Sequence, residues 1–154
     1  LQIISIFFFS CISGRGSRLD DLQIHRPLSA CTVIGLILGD LKTGIMLGGT
    51  LELIALGWMN VGAAQSPESA LASIISAILV IVGQQSIATG IAIALPVAAA
   101  GQVLPVFART STVVVQHVAV KAAEEPRFRS LYILHVLALG RQCSLVALPA
   151  LLFP

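Results

Sequence analysis

The sequence is short of charge. Asp, Glu, Lys and Arg make up only 10% of it, against about 25% in typical soluble domains. Between Thr43 and Ala108 there is no Lys or Arg, and the only acidic residues are Glu52 and Glu68. A soluble domain needs charge along most of its surface elements, so this scarcity argues against one. Other shortages exclude other classes. The nine basic residues give a net charge of only +2 and are scattered between apolar runs, which provides no electrostatic footprint for nucleic acid. Cys11, Cys31 and Cys143 lie in or beside apolar runs at no metal-ligand spacing, and read as small buried hydrophobes. No nucleophile motif, Walker loop or Rossmann fingerprint occurs, so neither enzymatic chemistry nor a cofactor is expected of this chain alone.

What fills the sequence is hydrocarbon: 56% hydrophobic residues and a mean hydropathy of +0.97. The expected fold is an all-α integral membrane protein, a polytopic helical bundle with interrupted or re-entrant helices. Residues 1–13 read as a transmembrane segment, because neither a basic n-region nor an A-x-A-like cleavage site flanks them. Residues 88–108 carry no charge and are long enough to cross, although Pro96 and Pro105 predict kinks. Residues 70–84 form a shorter uncharged run, and 130–154 a further candidate interrupted by Arg141. The chain begins at Leu1 inside an apolar run and ends at LVALPALLFP, as expected of a portion of a longer protein.

The region from Leu28 to Ala64 is less regular. A short apolar run, Ala30 to Gly39, is followed by Asp40-Leu41-Lys42-Thr43 and then by a second run from Gly44. Gly35/Gly39 and Gly44/Gly48 are both GxxxG, a spacing that lets helix backbones approach closely in lipid. Two readings stand: discontinuous or re-entrant helices lining a site, or two tilted helices joined by a tight polar loop. Asp40 and Lys42 read as a cap or a pair at the interruption. The polar stretches Gly14–Pro27 and Arg109–Ser130 are rich in Lys and Arg, which places both on the cytoplasmic side.

Glu52 is the outlier. It stands inside GGTLELIALGWMN, where a charge costs roughly 2.5–3.5 kcal/mol at mid-membrane and each Leu or Ile returns only about 0.3–0.6. Such a residue faces a bundle interior or a wet cavity, either tying helices together or lining a path. A carboxylate can accept hydrogen bonds from adjacent sugar hydroxyls. Trp58, Asn60 and Gln65 follow it. The Trp58 indole can stack on a sugar ring or anchor at the membrane interface, and the amides both donate and accept. Asp20 belongs to a second polar cluster with Asp21, His25 and Arg26, which is too poor in ligands to hold a metal. A proton-coupled transporter with Glu52 as the proton carrier is the alternative chemistry.

The motifs HRPL, GDLKTG, GGTLELIALGWMNVGAA and ALASII, within His25 to Val103, resemble the IIC component of the mannose/fructose/sorbose family of bacterial sugar phosphotransferase systems. The wording is most similar to L-sorbose-specific members, and mannose members tend to lack the Gln found at Gln65. The resemblance implies a sugar-translocating subunit in the bacterial inner membrane, with no phosphorylated residue of its own. It also implies a hetero-oligomer with a homologous IID membrane subunit, served by cytoplasmic IIA and IIB phosphocarriers. Glu52, Trp58, Asn60, Gln65 and Asp20 are then the candidate sugar contacts. Arg15, Arg18 and Pro105 depart from the family pattern, and the resemblance is expected to end near Leu139. The whole of 1–154 then reads as one IIC-type domain lacking its C-terminal part, and an inserted but inactive fragment is the other outcome.

Overall fold

The computed structural model describes residues 2–19, 23–59, 61, 66–124 and 128–151. Within them the elements are α-helices: α1 (Gln2–Leu19), α2 (Pro27–Leu38), α3 (Leu41–Ala55), α4 (Ser69–Val82), α5 (Ile87–Gly101), α6 (Val103–Glu124) and α7 (Phe128–Leu151). They fall into two length classes. Helices α2 to α5 have 12, 15, 14 and 15 residues, or about 18–23 Å at 1.5 Å per residue, short of a hydrocarbon core of about 30 Å. Helices α1, α6 and α7 have 18, 22 and 24 residues. By length and composition, one helical stretch among the described residues, Ile87–Lys121, is long and apolar enough to cross a membrane.

The short helices pair into hairpins. Pro27 starts α2 at a position where its missing N–H costs nothing. Gly39 ends the helix in the left-handed region (φ 89°), and the N–H groups of Gly39 and Asp40 both bond to the Gly35 carbonyl at 2.9 Å. Asp40 then caps α3: one carboxylate oxygen accepts from the Thr43 N–H at 3.1 Å and the other from the Thr43 hydroxyl at 2.5 Å. Asp40 is thus the cap that its position between two apolar runs predicts. Gly39→Ala is expected to lower stability by about 1 kcal/mol, the cost of an L-residue in that conformation, read as a lower unfolding midpoint in detergent.

Small residues set the α2–α3 distance. A Cβ on Gly44 would lie 2.5 Å from the Cys31 carbonyl oxygen, and one on Gly48 would lie 2.9 Å from the Cys31 Cβ. On α2, Gly35 approaches the Gly44 Cα in the same way. Both glycines of the α3 GxxxG therefore pack, whereas the second glycine of the α2 motif makes the turn instead.

Helix α4 is the pillar of the core. Ala70 to Ile78 and Val80 are buried without a break, because α1, α2, α3, α5 and α7 all touch it. A helix apolar on every side is a buried one, and here protein rather than lipid surrounds it. Its serines are bonded: Ser76 donates to the Gly90 carbonyl of α5 at 2.8 Å, and Ser73 donates to the Ser69 carbonyl. Glycine again permits the approach, since a Cβ on Gly90 would lie 2.4 Å from Val80 Cγ2.

Three sequence expectations change. The 88–108 run is divided at Gln102 between α5 and α6, with Pro96 inside α5 and Pro105 in the first turn of α6, where the absence of a proline N–H costs nothing. Helix α1 continues to Leu19, through the glycines read as the start of a polar stretch. It packs along α7, and tertiary packing overrides weak local propensity. Arg141 does not interrupt α7, which runs through it to Leu151.

Candidate functional site

The two-residue turn makes α2 and α3 antiparallel, so residues near the end of α3 return beside the start of α2. Glu52 stands there. Its Oε1 accepts from the Arg26 guanidinium at 2.7 Å, and its Oε2 accepts from the Leu28 backbone N–H at 3.3 Å. Leu28 is in the first turn of α2, where N–H groups lack helical acceptors and the helix dipole favours an anion. One full charge, one amide and a dipole thus converge on this carboxylate. The Glu52 side chain keeps 20% of its surface exposed and that of Arg26 keeps 36%, so the pair is partly open rather than sealed.

Past Ala55 the chain leaves the helix through a turn. The Leu56 N–H bonds back to the Glu52 carbonyl at 3.0 Å, and the Trp58 N–H bonds to that of Ala55 at 2.9 Å. This turn leaves Trp58 half-buried, its side chain packed against the apolar core, while Met59 is exposed. Asp20, Asn60 and Gln65 lie outside the described residues. Of the five residues proposed from sequence, Glu52 and Trp58 are therefore placed, one on α3 and one just beyond it.

Two participants escaped the sequence reading. Arg26 was grouped with Asp20, Asp21 and His25, yet its partner is Glu52. The available signal was chemical: a carboxylate in an apolar run requires a cation, and Arg26 immediately precedes the first short helix. Glu68, the other acidic residue of the 43–108 stretch, is at the N-cap of α4. Its backbone N–H bonds to the Ala98 carbonyl at 3.1 Å, and its side-chain carbons approach Gly101, joining the start of α4 to the end of α5.

Short apolar helices paired around a buried central helix, with exposed apolar side chains on α1, α6 and α7, define the helical bundle of a membrane protein. The family described as the sorbose-specific IIC component of the phosphotransferase system matches residues 1–153. The chain belongs to that family. It is 81% identical over 151 residues to the sorbose-specific EIIC component of Klebsiella pneumoniae, covering 98% of this chain and 57% of that protein. It is 58% identical over 152 residues to the mannose-specific EIIC component of Escherichia coli strain K12, covering 99% of this chain and 57% of the relative. A cryoEM structure of the mannose transporter ManYZ in complex with microcin E492 superposes with a TM-score of 0.93 at 58% identity, covering 99% of this chain and 61% of that one. The chain thus spans a little over half the length of these relatives. The match runs to residue 153 rather than ending near Leu139, so that expectation is corrected: 81% identity persists over almost the whole chain.

Proposed function

We propose that this chain is a multi-pass, sugar-translocating IIC portion of a phosphoenolpyruvate-dependent phosphotransferase system in the bacterial inner membrane, for L-sorbose or a related hexose such as mannose or fructose. The observation that carries the reading is the Glu52 site, in a chain 81% identical to a sorbose-specific relative. A carboxylate offers about four lone-pair sites. Arg26 and Leu28 use two of them, and the exposed remainder is free to accept from two neighbouring hydroxyls of a neutral sugar. Trp58 supplies an apolar face at the exit of the same helix. Asn60, Gln65 and Asp20 remain proposed contacts on chemistry alone.

The chain performs no phosphoryl transfer in this reading. A homologous IID subunit completes the path, and cytoplasmic IIA and IIB proteins deliver the phosphoryl group to the sugar. The second outcome is insertion without transport. Phosphoenolpyruvate-driven uptake of labelled L-sorbose and mannose decides between them. The vesicles contain this chain, IID and the soluble components, beside a relative of full family length. Uptake above empty vesicles, with L-sorbose preferred, is the expected result. An inserted chain that takes up nothing while the control transports would make it an inactive member.

A further inference from the structure

The groups gathered at the base of the α2–α3 hairpin suit an anion, and they already hold one. A guanidinium, a free backbone N–H and a helix N-terminus would suit a phosphate as well as a carboxylate. The Glu52 side chain occupies them, taking Arg26 Nη1 at 2.7 Å and the Leu28 N–H at 3.3 Å. Backbone contacts fix both sides of this arrangement. Arg26 is the N-cap of α2, its N–H donating to the Gln23 carbonyl at 3.0 Å and its carbonyl accepting from the Ala30 N–H at 2.9 Å. On α3, Gly48 lies one turn before Glu52 and on the same face. A Cβ on Gly48 would lie 3.0 Å from both the Pro27 carbonyl oxygen and the Leu28 Cα. That close approach seats Glu52 over the first turn of α2.

Prior occupancy decides what the site can accept. A tethered group acts at an effective concentration on the order of millimolar even on a flexible linker, and here the tether is a packed helix. An external anion must displace Glu52 before it can reach Arg26 and Leu28. What the site leaves open is the partly exposed remainder of the carboxylate. Its lone pairs accept from hydroxyl O–H groups. They repel a phosphoryl group, which carries about −1.5 to −2 charge at neutral pH. The rest of α3 and all of α4 and α5 provide no compensation, because no Lys or Arg occurs between Thr43 and Ala108.

We propose that Glu52 is the specificity-determining residue by which this site accepts a neutral sugar and rejects the same sugar as its phosphate ester. The inference rests on the transport reading above and deepens it. A sugar that arrives neutral and leaves phosphorylated must be bound in the first form and released in the second. At Glu52 the ester meets a like charge where the free sugar met an acceptor, and like charges brought together at a binding site are strongly unfavourable. Arg26 does not offset this while Glu52 holds it. Release of the ester from this site then follows from phosphorylation alone, without a rearrangement of the hairpin.

The test is equilibrium binding of labelled L-sorbose and, separately, labelled L-sorbose 1-phosphate to membranes containing this chain and IID. Phosphoenolpyruvate and the soluble components are left out, so no sugar is converted. Wild type is expected to bind L-sorbose at least tenfold more tightly than the ester. In Glu52→Gln the amide still accepts from Arg26 but no longer neutralises it, so the ester is expected to gain at least tenfold while L-sorbose loses affinity. Glu52→Asp keeps the charge and should keep the preference for the free sugar. Adding Arg26→Gln to Glu52→Gln should cancel the gain. Equal binding of sugar and ester by wild type, or no gain for the ester in Glu52→Gln, would overturn the charge filter and leave the transport reading standing. A gain that survives in the double substitution would place the ester away from Arg26 and overturn it too. A wild-type chain that binds no L-sorbose would sink both the filter and the sugar site.

Discussion

Gly44→Val is expected to open the α2–α3 hairpin. The new Cβ would lie 2.5 Å from the Cys31 carbonyl oxygen and 3.1 Å from the Gly35 Cα. Both obstacles are backbone, so no rotamer change relieves the clash and the two helices must separate. Overpacking typically costs 1–3 kcal/mol, and a clash against backbone belongs at the upper end, roughly 3 kcal/mol. The consequences reach both ends of the hairpin. Separating α2 from α3 draws Arg26 and the Leu28 N–H away from Glu52, and it uncovers Cys31, which is fully buried. Thiol labelling in a background with Cys11 and Cys143 replaced by Ser reads this directly. Cys31 is expected to be protected in the parent and labelled in Gly44→Val. Gly49→Ala on the same helix is the control, because nothing lies within 4 Å of a Cβ placed there. It should keep Cys31 protected and add up to about 1 kcal/mol from helix propensity. Protection of Cys31 in Gly44→Val would mean that the close α2–α3 contact is not what holds the hairpin.

The same contrast shows what the sequence made legible. Glu52 stood out because a lone carboxylate in an apolar run is expensive, and that reasoning requires no partner coordinates. Its partner did not stand out, since Arg26 reaches it only after the chain reverses at Gly39 and Asp40. Hydrophobicity located α2, α3 and α4 but merged α5 into one longer run, and the charged interruption at Asp40 located the turn. It could not tell that α4 is wrapped by protein, because burial in lipid and burial in a core select the same side chains. The GxxxG spacing in α2 was real but ambiguous. Both a helix contact and a left-handed cap demand glycine, and only the backbone shows that Gly35 serves the first and Gly39 the second. Arg141 illustrates the converse limit. Charge predicts a break in a membrane helix, yet the guanidinium donates to the Ser111 hydroxyl oxygen on α6 and α7 carries it intact.

Substitutions at the Glu52–Arg26 pair separate the two roles that the sequence left open for the carboxylate. Glu52→Gln keeps an oxygen that can accept from Arg26, so the hairpin should close and the protein should insert at wild-type levels. The variant loses the negative charge, and with it the charge-assisted bonds offered to sugar hydroxyls. Hydrogen bonds to charged groups contribute about 1.5–3 kcal/mol each, so the expected loss of uptake is roughly ten- to 150-fold. It should be measured as the initial rate of phosphoenolpyruvate-driven L-sorbose uptake at sub-saturating sugar, with both substitutions placed in a relative of full family length. Arg26→Gln removes the cation but leaves the carboxylate, the Leu28 N–H and the α2 dipole in place, so a smaller loss is expected. If the carboxylate served only to hold Arg26, the two single substitutions would reduce uptake equally and the double substitution would add nothing. If it also contacts sugar, Glu52→Gln must be the more damaging of the two. Unchanged uptake in Glu52→Gln would make the negative charge dispensable for transport and move the sugar path away from the base of this hairpin.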